Sequence, residues 1–213
     1  MISTSYSPQA LADFLAEGLR QALKRAPFAS LAVSGGNTPK AVFPLLAQAD
    51  LAWERVWITL TDERWLPPGH EGSNEGLARR LLLQGKAERA RFIGFWSEAS
   101  SPESALPGLE YRLRQMPWPL DIVFLGMGPD GHIASLFPGD PALEVETGRV
   151  TTAMGPPPYT DRITLVLPEL AHARRVALLA NGPEKQAILR QGNQTLPVHR
   201  FLALSNESAT VFG

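Results

Sequence analysis

Apolar residues recur along this chain with two different periods, and those periods alternate. Over residues 8–25, Leu11, Phe14, Leu15, Leu19, Ala22 and Leu23 fall at the three- and four-residue spacing of one helix face. Short apolar runs at residues 29–33, 56–60 and 121–125 predict strands. The last run is unbroken, as expected of a strand buried on both faces. Residues 91–96, 163–167, 176–179, 201–204 and 209–212 predict further strands. Between them, residues 39–47 predict a helix with proline in its first turn, and 73–83 a helix capped by Ser73 or Asn74. Residues 102–116 and 184–190 predict two more. Strands alternating with helices imply the α/β class, with a mostly parallel sheet covered on both faces. No shift in composition and no internal repeat divides the chain, so residues 1–213 are expected to form one domain. The run Gly155-Pro156-Pro157-Pro158-Tyr159 is too short for a linker and reads as a stiff surface loop.

Composition narrows what such a domain does. The net charge of −1 leaves no electrostatic footprint for nucleic acid. The absence of cysteine excludes disulfides, thiolate metal sites and a cysteine nucleophile. No stretch approaches the ~20 apolar residues of a membrane span. The opening residues, Met1-Ile2-Ser3-Thr4-Ser5-Tyr6, lack the basic region and apolar core of a signal peptide. The expectation is a cytoplasmic protein with neither membrane nor nucleic acid as partner; the oligomeric state is left open.

Residues able to do chemistry gather where strands end. The strand at 121–125 runs into Gly126-Met127-Gly128-Pro129-Asp130-Gly131-His132, a glycine-rich turn that presents a carboxylate and an imidazole two residues apart. The bland alternative, a capping Asp with a His packed beneath it, sits poorly with three glycines. A metal site is disfavoured because no third ligand has convincing spacing; His70 is the only candidate nearby in sequence. Ser34-Gly35-Gly36-Asn37-Thr38-Pro39 follows the first long strand and opens a helix, the setting in which backbone N–H groups bind an anion. It matches neither a dinucleotide fingerprint nor a Walker A sequence, which points to a small phosphate ester. A tight turn capped by Thr38 fits the same residues. Thr61-Asp62-Glu63-Arg64 ends the next strand and reads either as a solvated loop or as a second part of one site. Arg162, and Lys185 after Asn181-Gly182-Pro183, are suited to clamp a phosphate, though each alone is more often surface charge. His172 and His199 are assigned no role.

Taken in order, these motifs resemble the 6-phosphogluconolactonase family and its relatives, the glucosamine-6-phosphate deaminases and isomerases. The resemblance rests on the 34–39 loop, Asp62-Glu63-Arg64 with Pro67 and Ser73-Asn74, the run from Gly126 to Pro138, Arg162-Ile163-Thr164-Leu165, and Gly182-Pro183-Glu184-Lys185. It implies a three-layer sandwich around a mostly parallel sheet, like the amino-sugar deaminase, ribose-phosphate isomerase and CoA-transferase group. It implies hydrolysis of 6-phospho-D-glucono-1,5-lactone to 6-phospho-D-gluconate, a small-molecule sugar-phosphate substrate and no cofactor. By motif, Gly35, Gly36, Asn37, Thr38, Arg162 and Lys185 would hold the phosphate. His132 would be the base, with Asp62, Arg64 and Asp130 around the lactone ring. Ser34, Asn74 and Gly128 would complete the substrate site. Whether Asp130 or Asp62 orients the imidazole stays open.

Two other readings compete. The deaminases resemble this chain through Asp130-Gly131-His132-Ile133-Ala134 but then carry Phe-Asn-Glu-Pro, where this chain has Ser135-Leu136-Phe137-Pro138. Phe137 thus replaces a glutamate used to move protons, and Arg64 stands where deaminases usually show tyrosine; both differences favour the lactonase. A sugar-phosphate sensor would need a helix-turn-helix, and the residues before the first long strand supply only one amphipathic helix.

Overall fold

Seven parallel strands form the centre of the computed structural model, which describes residues 2–205 and 208–213. In chain order the strands and helices are β1 (Ile2–Thr4), α1 (Pro8–Arg25), β2 (Ala29–Val33), α2 (Pro39–Ala47), β3 (Val56–Leu60), β4 (Asp62–Arg64), α3 (Asn74–Leu81), β5 (Arg91–Ile93) and α4 (Pro102–Leu113). They continue with β6 (Ile122–Gly126), β7 (Val150–Met154), β8 (Asp161–Leu165), α5 (Leu167–Ala171), β9 (Arg175–Leu179), α6 (Pro183–Gln191), α7 (Pro197–Leu204) and β10 (Ala209–Phe212). The central sheet has the order β1-β10-β9-β6-β2-β3-β5, and every pairing in it is parallel. Successive residues of β2 (Leu31, Ala32, Val33) and of β6 (Ile122 to Leu125) are at most 1% exposed, so helices or loops cover both faces.

The apolar stripe that marked α1 is the face it buries, through Leu11, Leu15, Leu19 and Ala22. Ser7 caps its start by accepting from the Ala10 N–H at 3.0 Å. Gly18 lets the helix lie directly on β6, since a Cβ there would come within 2.7 Å of Ile122 Cδ1. α1 also packs along α2, and α5 along α7.

The mostly parallel α/β expectation holds, but the chain adds a sheet that periodicity did not predict. β4, β8 and β7 form a three-stranded antiparallel sheet in the order β4-β8-β7. Residues 62–64, for which a solvated loop is one reading, are strand β4, because Asp62 and Glu63 are buried with internal partners rather than in water. The strand expected at 163–167 belongs to this second sheet and ends at Leu165, and Leu167-Pro168 open α5. The proline-rich run joins β7 to β8, closed by the Gly155 N–H donating to the Thr160 carbonyl at 2.7 Å.

Residues 201–204 are a correction. They are not a strand but the second half of α7, which begins at Pro197 and buries Val198, His199 and Phe201. A four-residue apolar run has no period of its own, and packing on α5 decided for helix. The other predicted elements differ only at their ends, β5 stopping at Ile93, α3 at Leu81 and α4 at Leu113, while β1 and α5 are not among the predicted elements.

Candidate active site

From β2 the chain fills the sheet outward to β3 and β5; from β6 it fills the other side, to β9 and beyond. The loops after β2 and β6 therefore diverge and leave a crevice at their carboxyl ends, where open α/β sheets bind ligands. A cleft of about 320 Å³ lies there. It is lined by Ser34 to Pro39 after β2, Asp62 and Arg64 after β3, and Asn74 at the start of α3. The loop after β6 adds Gly128, His132, Ala134 and Phe137; Arg162 on β8 and Lys185 on α6 complete it. Of the thirteen residues singled out from sequence, all but Asp130 line this cleft. A larger depression beneath α1 has its charges matched internally: Arg25 and Arg174 flank Asp121, and the Arg175 guanidinium lies 3.7 Å from the Phe14 ring centre.

Asp130 stands behind the imidazole. Its Oδ1 lies 2.6 Å from His132 Nδ1 and accepts the His132 backbone N–H at 3.1 Å. An ionised Asp130 can only accept, so Nδ1 is the donor in this contact. Burial pushes the Asp130 carboxyl up, but the His132 N–H, charge and ring together outweigh it and hold the group below the usual carboxylate range. The turn is closed by Gly128 N–H donating to the His132 carbonyl at 2.9 Å, with Gly131 at φ +80°. Gly128 is required for a second reason: a Cβ there would overlap the His132 ring at Cε1 and Nδ1. Phe137 packs against the same ring, with centroids 4.6 Å apart.

Asp62 plays a different part. Its Oδ2 accepts from the Ser135 hydroxyl at 2.6 Å and its Oδ1 from the Thr61 hydroxyl at 3.0 Å. Thr61 in turn lies 2.8 Å from Ser34 Oγ. Asp130, not Asp62, is thus the hydrogen-bond partner of His132. Ala134, at φ +49°, holds a left-handed conformation that costs a non-glycine residue about 1–2 kcal/mol. The next residue is Ser135, which meets Asp62.

The rest of the cleft is cationic. Arg64 and Arg162 are directly opposite in the β4–β8 register, an arrangement of like charges that is unfavourable without an anion between them. Arg64 Nη1 donates to the Gly72 carbonyl at 2.6 Å, while its buried Nε has no partner among the described residues. Arg162 donates from Nε to the Tyr159 carbonyl at 2.7 Å. Burial pulls the Arg162 guanidinium down, Asp62 pulls it up and Arg64 pulls it down again. Lys185 reaches the cleft from the first turn of α6.

Across the cleft, Thr38 does not cap α2: it has helical φ and ψ, and its hydroxyl makes no capping bond. That hydroxyl and the N–H groups of the Gly35–Thr38 turn remain open to a ligand. Gly36 takes φ +105° in this turn, and Gly35 leaves room for the Asn74 amide, which a Cβ would overlap. Asn74 also braces the site by donating from Nδ2 to the Asp62 carbonyl at 2.9 Å.

Sequence reasoning assigned no role to Thr61, Ser135 or Glu63. Glu63 is wholly buried and accepts four hydrogen bonds, from the N–H groups of Arg64, Asn74 and Glu75 and from the Ser73 hydroxyl. It ties β4 to the N-terminus of α3, between Arg64 and Asn74. Burial pushes its carboxyl up to about 7 against the pull of those donors. Its only sequence signal is that it lies inside a charged motif following an apolar strand. His70 is not a ligand beside His132. Its Nδ1 accepts from the Gly72 N–H at 3.0 Å and its ring packs edge-on against Tyr159. Among the described residues no three His, Cys, Asp or Glu side chains converge on one point.

A family profile described as glucosamine-6-phosphate isomerases/6-phosphogluconolactonase matches residues 4–211. The chain is 39% identical over 210 residues to a 6-phosphogluconolactonase of Pseudomonas aeruginosa, covering 94% of this chain and 88% of that protein. It is 42% identical over 185 residues to one of Mesorhizobium japonicum, covering 83% and 76%. Among solved structures, a 6-phosphogluconolactonase of Shewanella baltica superposes with a TM-score of 0.92 at 32% identity, over 100% of this chain and 97% of that one. A monomeric glucosamine-6-phosphate deaminase shares the fold, with a TM-score of 0.81 at 19% identity.

Proposed function

This chain belongs to the family of glucosamine-6-phosphate isomerases and 6-phosphogluconolactonases and hydrolyses 6-phospho-D-glucono-1,5-lactone to 6-phospho-D-gluconate, and we propose that His132, oriented by Asp130, is the base that drives the reaction. The step is the second of the oxidative pentose phosphate pathway. A phosphate ester is retained inside a cell by its charge, which supports a cytoplasmic enzyme. No helix of the described residues is long and apolar enough to cross a membrane.

The observation that carries the mechanism is the 2.6 Å contact between Asp130 Oδ1 and His132 Nδ1. With Nδ1 donating, Nε2 is the basic nitrogen. It takes a proton from water as the oxygen attacks C1 of the lactone. The C1–O bond to the ring oxygen then breaks, and His132 returns the proton to that oxygen as it leaves. Asp130, held ionised, stabilises the imidazolium formed between the two transfers. Arg64, whose guanidinium lines the cleft, is suited to the oxyanion that develops at C1.

The phosphate lies away from C1, against Arg162, Lys185 and the Gly35–Thr38 turn. Its binding energy holds the ring for attack and is expressed in the transition state. A lactone is an activated ester, so one positioned base suffices. Deamination is disfavoured by Phe137, a ring without a transferable proton, packed on His132.

The test is hydrolysis of freshly generated 6-phosphogluconolactone, corrected for spontaneous ring opening. Enzyme-dependent hydrolysis is expected in the wild type and not in His132→Ala. Equal rates with and without the wild-type enzyme would refute the assignment.

A further inference from the structure

We infer that Ser34 is a specificity-determining acceptor: its Oγ receives a hydrogen bond from a hydroxyl group of the substrate's sugar portion and gives none to the phosphate. The inference rests on reading the cleft as a sugar-phosphate lactone site.

The argument is a proton count. Asp62 offers only acceptors, and its two oxygens take the hydroxyl protons of Ser135 and Thr61. A threonine hydroxyl has one proton. Having given it to Asp62, Thr61 Oγ1 can meet Ser34 Oγ, 2.8 Å away, only as an acceptor. Ser34 is therefore the donor in that pair, and its single hydroxyl proton points inward. Its backbone N–H is also spent, on the Phe124 carbonyl at 3.1 Å. Ser34 lines the cleft with no donor of either kind left, so any hydrogen bond it makes to a ligand it accepts, through an oxygen lone pair.

A fully ionised phosphate carries no proton to give to such a lone pair and would be repelled by it. A neutral sugar hydroxyl fits. The neighbouring turn has the opposite character, since the Thr38 hydroxyl caps nothing and Gly35 to Thr38 keep open N–H groups. The 34–38 loop is thus split: residues 35–38 donate to the phosphate, and Ser34 accepts from the polyol. The polarity of Ser34 is set from behind, by buried Thr61 and Asp62 on the neighbouring strand end. A site built to accept a hydroxyl discriminates against an analogue that lacks it, because the buried acceptor is left unpaired.

The test separates the two halves of the ligand. Inorganic phosphate is used as a competitive inhibitor of lactone hydrolysis, with wild type, Ser34→Ala and Arg162→Ala. In Ser34→Ala the KM for the lactone is expected to rise about 3- to 10-fold, the range for one neutral hydrogen bond, with the phosphate inhibition constant unchanged. Phosphate inhibition that weakens in step with KM would overturn the inference, since Ser34 would then touch the phosphate. Phosphate inhibition untouched by Arg162→Ala would instead overturn the phosphate reading of the cleft, a separate failure. A second measurement needs no variant. Among wild-type substrates singly deoxygenated at C2, C3 or C4, one is expected to lose about as much as Ser34→Ala loses, and to lose nothing further when combined with it. A series in which no deoxy substrate is impaired would overturn the inference.

Discussion

The ring of Phe137 rests on the imidazole of His132, with centroids 4.6 Å apart and planes tilted by 43°. Together with the Asp130 contact at Nδ1 and the bare Cα of Gly128, it confines the imidazole on three sides. Phe137 also occupies the position at which the deaminases, similar to this chain through Asp130-Gly131-His132-Ile133-Ala134, carry a glutamate. The wild type is therefore expected to release no ammonia from glucosamine 6-phosphate. Phe137→Glu is expected not to create a deaminase either, because it would unpack His132 and leave Arg64 unchanged. An ammonia-release assay run beside the lactonase assay checks both; comparable rates in the wild type would overturn the distinction.

His132→Ala should lower kcat by about 10²- to 10⁴-fold, the usual contribution of a positioned base, with little change in KM. His132→Gln should not restore activity, since an amide cannot take the proton. Asp130→Asn should lower kcat less than His132→Ala, since it keeps the base but loses the charge that fixes its tautomer. Steady-state kinetics decide this; near-normal turnover in either His132 variant would remove His132 from the mechanism.

Gly128→Ala separates ring placement from ring chemistry. A Cβ at Gly128 would overlap His132, while the backbone there does not demand a positive φ. The variant should fold, and its loss should appear in kcat as the imidazole is pushed aside. Full activity in a folded Gly128→Ala protein would mean that the ring has freedom to move away.

Arg162→Ala and Lys185→Ala should mainly raise KM. A charge-assisted hydrogen bond contributes about 1.5–3 kcal/mol, which corresponds to roughly 10- to 150-fold in affinity. Some loss in kcat should accompany it if phosphate binding also aligns the ring. Unphosphorylated gluconolactone should be a far poorer substrate of the wild type. Equal turnover of the two lactones would show that these groups do not bind a phosphate.

Glu63 predicts a pH signature. Its ordinary carboxyl value is 4.5 and burial raises it to about 7, so between those values the folded chain holds a proton that the unfolded chain has released. Folding then takes up a proton, and this contribution to stability is complete below about pH 4.5 and lost as pH rises through 7. Glu63→Gln lacks that dependence. It should also be less stable, because its amide NH₂ would face N–H donors. The stability difference between wild type and variant, from urea midpoints at a series of pH values, should narrow as pH rises through this window. A constant difference would exclude a raised Glu63.

Local order carries much of this molecule, and that part is legible in the sequence. The stripe on α1, the apolar runs of β2, β3 and β6, and the glycines that turn the chain after β2 and β6 each act over a few residues. Their period and turn chemistry can be read without knowing any neighbour. The cleft's lining residues were found for the same reason: in a parallel sheet, strand ends collect at one edge whatever the strand order.

Partners distant in sequence were decided only by the tertiary structure. Asp62 meets Ser135 across 73 positions and Ser34 meets Thr61 across 27. Arg162 faces Arg64 only because β4 and β8 pair antiparallel in one register. Residues 62–64 became a strand and residues 201–204 a helix through what they pack against. Hydrogen-bond polarity is likewise a property of the assembled network: Ser34 has one hydroxyl proton, and which way it points depends on the Asp62 carboxylate at the start of β4.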